Sequence, residues 1–135
     1  MTRYTSAALA VAVLGLAIAC VGVTSADTRI EKKSVAVPGN QQTLLWVHSD
    51  LGDDCTGTAP RIALIRGPQH GEIATEQTVQ TISDGTSPCN GKQVPATSVY
   101  FIPSADYTGE DHFRYKWMKQ DGTPGLDAAV AVTVQ

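Results

Sequence analysis

The chain has few cysteines, few charges and no run of basic residues, and each shortage narrows what it can do. Charged residues fill 17% of its 135 positions, and the formal net charge is −3. Acidic and basic residues are scattered along the sequence, so no electrostatic footprint for a phosphate backbone or an anionic membrane is expected, and no nucleic-acid partner. Neither Cys55 nor Cys89 has a cysteine or histidine two to four residues away, which excludes the paired ligand spacing of a zinc site. No G-x-S-x-G elbow is present, and neither a motif nor a paired-carboxylate cluster marks a catalytic centre, so no enzyme is expected. Residues 27–135 show no internal repeat, no low-complexity tract and no window of apolar residues at helical spacing. This length supports one core and no second domain.

The N-terminus differs from the rest. Arg3 precedes Ala7 to Val23, an uncharged run of apolar and small residues that ends in Thr24-Ser25-Ala26. A basic start, an apolar stretch and small residues at the −3 and −1 positions read as a secretory signal peptide, 1–26, cleaved after Ala26. The mature chain, 27–135, is then exported, periplasmic or secreted, and has no membrane span. Two alternatives compete: an uncleaved anchor, which needs about 20 apolar residues, and lipidation at Cys20. Ala17-Ile18-Ala19-Cys20 loosely resembles a bacterial lipobox, with Ala17 where leucine is usual. Cleavage removes Cys20 and leaves Cys55 and Cys89, which have a single intramolecular pairing in a compartment where disulfides persist. Closing that loop is worth roughly 3 to 4 kcal/mol in the chain-entropy picture.

Short β-branched and aromatic runs recur between turn residues, predicting an all-β domain with strands at 29–37, 43–48, 61–66, 71–75, 77–82, 97–102, 112–118 and 127–134. Strands at this spacing imply a sandwich or barrel. In 112–118, Phe113, Tyr115 and Trp117 alternate with His112, Arg114 and Lys116, giving one core face and one wet face. Val130, Val132 and Val134 repeat the pattern, and Asp121-Gly122 predicts that these two strands pair antiparallel. Leu44 to Val47 and Val99 to Ile102 are apolar at both parities, as expected of central strands or of strands that touch a partner. The parity change between Ile30 and Val35 predicts a bulge near Lys33-Ser34.

The segment Pro103-Ser-Ala-Asp-Tyr107-Thr-Gly109-Glu-Asp111-His-Phe113-Arg-Tyr115 closely resembles the P-x-x-x-Y-x-G-x-D-x-F-x-Y signature of bacterial immunoglobulin-like, cadherin-like repeats. Every fixed position is present. Gly67-Pro68-Gln69-His70-Gly71-Glu72-Ile73 is similar to the turn and strand preceding the signature in those repeats, and Val130 to Val134 to their closing hairpin. The resemblance implies an immunoglobulin-like, cadherin-like Greek-key β-sandwich of about seven strands, serving as a protein-interaction or structural component of a bacterial envelope or the extracellular space. The chain departs from the family in being a single copy, in its cysteine pair and in the inserted stretch Ser83 to Pro95. The motif residues themselves have structural explanations. Pro103 ends a strand, Tyr107 buries its ring and bonds a backbone acceptor, and Gly109 takes a glycine conformation. Asp111 accepts turn amides, and Phe113 and Tyr115 enter the core.

One cluster invites metal chemistry. His48 and Asp50 at i, i+2 share a strand face, and Asp53 and Asp54 follow. They read as a solvated strand end and polar turn or, alternatively, as the corner of a small periplasmic metal- or ligand-binding protein. Calcium could draw on Asp50, Asp53, Asp54 and Glu110, although no D-x-D-x-D-G run is present, and the working expectation is no cofactor. His70, in a turn, and His112, on a wet face, read as surface histidines. Candidate partner surfaces are the edge strands and the loops 49–58 and 83–96.

Overall fold

A computed structural model describes residues 29–135; the segment expected to be a signal peptide or, alternatively, an anchor, with Cys20, lies outside the described residues. The described chain forms nine strands and no helix: β1 (Ile30–Val37), β2 (Thr43–His48), β3 (Asp50–Leu51), β4 (Gly57–Thr58), β5 (Arg61–Arg66), β6 (Gly71–Thr81), β7 (Gln93–Pro103), β8 (Gly109–Met118) and β9 (Pro124–Val134). They build a four-stranded sheet in the order β1-β9-β8-β5, a three-stranded sheet in the order β2-β7-β6, and the small β3-β4 pair. Pairing is antiparallel except for β1, which runs parallel to β9. Among the described residues no helix is long and apolar enough to cross a membrane.

The two larger sheets share one core. Alternation aims Val35 and Val37 of β1, Phe113 and Tyr115 of β8, and Val130, Val132 and Val134 of β9 at Phe101 of β7, with Leu45, Trp46, Ile62 and Ile73 packed around them. Phe101, Tyr115 and Val132 are fully buried. The strand pair predicted from Phe113 and Val130 is the antiparallel β8–β9 pair, with those two residues directly opposite.

Several expectations are corrected. The runs 71–75 and 77–82 are one strand, β6, paired without interruption against β7. Glu76, which falls between the two expected strands, is a solvated residue of a sheet edge. Leu44 to Val47 lies in an edge strand, not a central one. Its apolar residues at both parities come from a bulge: the register shifts between Leu44 and Trp46, so Leu45 and Trp46 both reach the core while Leu44 stays 49% exposed. The bulge predicted at Lys33-Ser34 is absent, since β1 and β9 keep one register from Ile30 to Val37. Ile30 simply faces solvent at 42% exposure. The strands outnumber the expected seven or so because β3 and β4, two residues each, flank a tight turn closed by Gly52 N–H to Thr56 O at 2.8 Å.

Candidate functional site

The segment 103–115 forms a corner whose side chains are engaged with the protein itself. Pro103 closes β7 opposite Gly71, where a Cβ would lie 2.5 Å from the Phe101 ring. Tyr107 donates its hydroxyl to the Glu110 carbonyl at 2.7 Å, and its ring stacks on His70 with centroids 4.2 Å apart. Gly109 has φ +127°, and a side chain there would also press on the Tyr107 hydroxyl. The Asp111 carboxylate accepts N–H bonds from Gln69, His70 and His112 at 2.9, 2.6 and 2.8 Å, tying the β5–β6 turn to the start of β8. Burial pushes the Asp111 carboxyl up, but these N–H groups and nearby His70 more than offset it and hold it below the usual carboxylate range. Phe113 and Tyr115 then enter the core.

The metal corner is not assembled. His48 Nε2 lies 2.8 Å from the Tyr115 hydroxyl, and the imidazole also packs by the Trp117 ring. Burial lowers its pKa and Lys33 adds to the effect, with Glu31 opposing. The same burial, with Glu31, pushes the Tyr115 hydroxyl up. Asp50 sits in the β3–β4 pair opposite Thr58. Asp53 is exposed in the turn, and Asp54 Oδ1 accepts the Thr56 N–H and hydroxyl at 3.0 and 2.7 Å. His48 and Asp50 would share a face only on one continuous strand. Instead β2 ends at His48, Ser49 donates its hydroxyl to the Pro95 carbonyl, and β3 pairs elsewhere. Among the described residues no group of three or more His, Cys, Asp or Glu could hold a metal ion, and this includes the calcium set with Glu110.

Cys55 and Cys89 are joined, with Cα atoms 5.4 Å apart, linking the β3–β4 turn to the 82–92 loop. The loops are locked internally by a repeated Asp-x-Thr device. Asp54, Asp84 and Asp121 each accept both the N–H and the hydroxyl of the threonine two residues on, which lowers all three carboxyl pKa values.

The feature hidden from the sequence is a charge segregation. Opposite the core, the outer face of the four-stranded sheet carries Lys32 of β1, Arg61 and Arg66 of β5, and Arg114 and Lys116 of β8, against the acids Glu110 and Asp127. Those five cations are half of the chain's ten Lys and Arg residues. The short side chains of Ser34, Ala129 and Ala131 leave an open groove of about 770 Å³ between Lys32 on one side and His112, Arg114 and Arg66 on the other. Its two flanking strands, β1 and β5, are three strand spacings apart, roughly 14 Å. Asp127 is only 1% exposed and clamps Arg114 through Nε and one terminal nitrogen at 2.8 and 2.7 Å, with Lys116 at 3.5 Å. The clamp depresses the Asp127 carboxyl, chiefly through the Arg114 bonds, and raises the Arg114 guanidinium. A guanidinium has five N–H donors, so a buried carboxylate that takes two leaves three held in a fixed direction. The other sheet has no Lys or Arg in β2, β6 or β7, and its outer face presents Glu72 and Glu76.

The wet face His112-Arg114-Lys116 was legible from alternation, whereas its meeting with Lys32, Arg61 and Arg66 depends on the strand order. The scattered charge of the linear sequence is thus gathered by the topology. No protein-family model matches the chain, and no curated protein matches it. Among solved structures it is similar to the solution structure of Amebosin, at 10% identity and a TM-score of 0.46, covering 79% of this chain and 99% of that one.

Proposed function

We propose that the protein is an exported, non-enzymatic binding module of immunoglobulin-like, cadherin-like Greek-key architecture, and that it engages an acidic protein or envelope component through the outer face of its four-stranded sheet. The observation that carries this reading is the gathering of Lys32, Arg61, Arg66, Arg114 and Lys116 on one face of a chain with net charge −3. Charge of one sign on a sheet repels itself, and burying Asp127 beneath it costs desolvation. A groove with a pre-oriented guanidinium gives that arrangement a use, because planar donors recognise carboxylates bidentately. The paired strand order β1-β9-β8-β5 and β2-β7-β6, together with the 103–115 corner, supports the architectural part. Ala7 to Val23 followed by Thr24-Ser25-Ala26 supports export.

The test is chromatographic. A net-negative protein should pass a cation-exchange matrix at neutral pH, but this one is expected to be retained at low salt through its cationic face. Elution should come as ionic strength approaches about 0.1–0.2 M, where the screening length falls to roughly 8–10 Å. Lys32→Glu with Arg66→Glu should abolish retention. Lys92→Glu with Lys119→Glu, an equal change of charge off the face, should leave most of it. Equal behaviour of the two double variants would contradict the proposal.

A further inference from the structure

Each of the two larger sheets has two edge strands, and three of these four carry a device that discourages pairing with another chain. β2 is bulged at Leu45 and β5 at Ile65, which breaks a regular ladder. β1 points Glu31 and Lys33 to the core side, in line with Val35 and Val37, so that an added strand would confine charge. β6 is different. It runs eleven residues with an unbroken register against β7, contains no proline and no lysine, and leaves Val79 62% exposed. One side of its backbone has no strand partner among the described residues. A regular edge of this length is a template for strand addition.

Charge identifies the occupant. Glu72 and Glu76 lie four residues apart on one exposed face of β6, and no basic residue of β6 or β7 accompanies them. An antiparallel pairing of β6 with a second copy of itself either sets Glu72 against Glu76 twice or leaves both without an opposite charge, and like charges directly opposed are destabilising. We propose that β6 accepts, antiparallel, an extended segment of a partner protein that carries Lys or Arg at two positions four residues apart and an apolar residue placed against Val79. This edge belongs to the other sheet and shares no residue with the cationic groove.

The probe is a synthetic eleven-residue peptide of threonine and valine with lysines four residues apart, compared with its glutamate counterpart. Hydrogen exchange of the full chain should slow at alternate amides of 71–81 when the lysine peptide is added. The lysine peptide should bind about tenfold more tightly than the glutamate one, the scale of two cross-strand charge pairs. Glu72→Lys with Glu76→Lys, both at exposed positions, should invert that preference. Protection falling on β1, β2 or β5, binding that ignores peptide charge, or no protection of β6 at saturating peptide would each overturn the proposal.

Discussion

The two large sheets solve the same packing problem with different outer surfaces. The four-stranded sheet turns Phe113, Tyr115 and the β9 valines inward, and its outer face concentrates cations over small residues, with Asp127 buried to hold Arg114. The three-stranded sheet turns Phe101 and Ile73 inward, bears only acids among its outward charges, and continues past the core as the distal halves of β6 and β7. In that extension Cys89, Val94 and Ala96 are buried outside the main core cluster, and the Cys55–Cys89 bond and the Asp-x-Thr turns take over the restraint that hydrophobic packing supplies elsewhere. One sheet is stabilised by its core and gathers cations on its face; the other is stapled at its end and leaves a long regular edge.

Removing the staple should expose the difference most strongly. Cys55→Ser with Cys89→Ser is expected to lower unfolding stability by roughly 3 to 4 kcal/mol. Amide exchange should quicken first in 50–58 and 82–96, while β8 and β9 hold. A uniform loss across both sheets would show that the extension and the core are a single cooperative unit.

A smaller effect joins the sheets at His48, whose ring from β2 meets the Tyr115 hydroxyl of β8. Burial holds its pKa below 6.5, so below that pH the unfolded chain takes up a proton that the folded one resists. Stability should therefore fall as pH drops below 6.5 and level off beneath the folded pKa. His48→Phe should remove that slope, as measured by denaturant midpoints across the range. A second decline, from the lowered carboxyls of Asp111 and Asp127, should begin only as pH falls below their ordinary 3.8 and should persist in the variant.

Much of this comparison was readable in the sequence. The spans 43–48 and 61–66 coincide with β2 and β5, and the alternation from His112 to Met118 marked both faces of β8. Local pattern suffices there because side chains alternate with period two wherever one face is dry. It failed where long-range geometry decides. Trp46 and His48 face the sandwich only because Leu45 is bulged, so His48 was grouped with Asp50 instead of with Tyr115. In the sequence Glu76 separates two strands because nothing local reveals that β6 is an edge. The cationic face unites Lys32, Arg66 and Arg114 from three strands, and only the order β1-β9-β8-β5 brings them together. The turn at Asp121-Gly122 is visible in the sequence, but the paired hydrogen bonds of the Asp-x-Thr turns emerge only when the third residue is read with the first.

The proposed binding surface for an acidic partner is the outer face of the four-stranded sheet. Its most direct test is an amide chemical-shift titration of the full chain with a glutamate-rich peptide at low salt. Shifts should be confined to the groove strands, around 32–34, 65–66, 112–116 and 127–131, and should be lost in Lys32→Glu with Arg66→Glu. Shifts on the β2-β7-β6 sheet, shifts spread evenly over the loops, or none at all would contradict it.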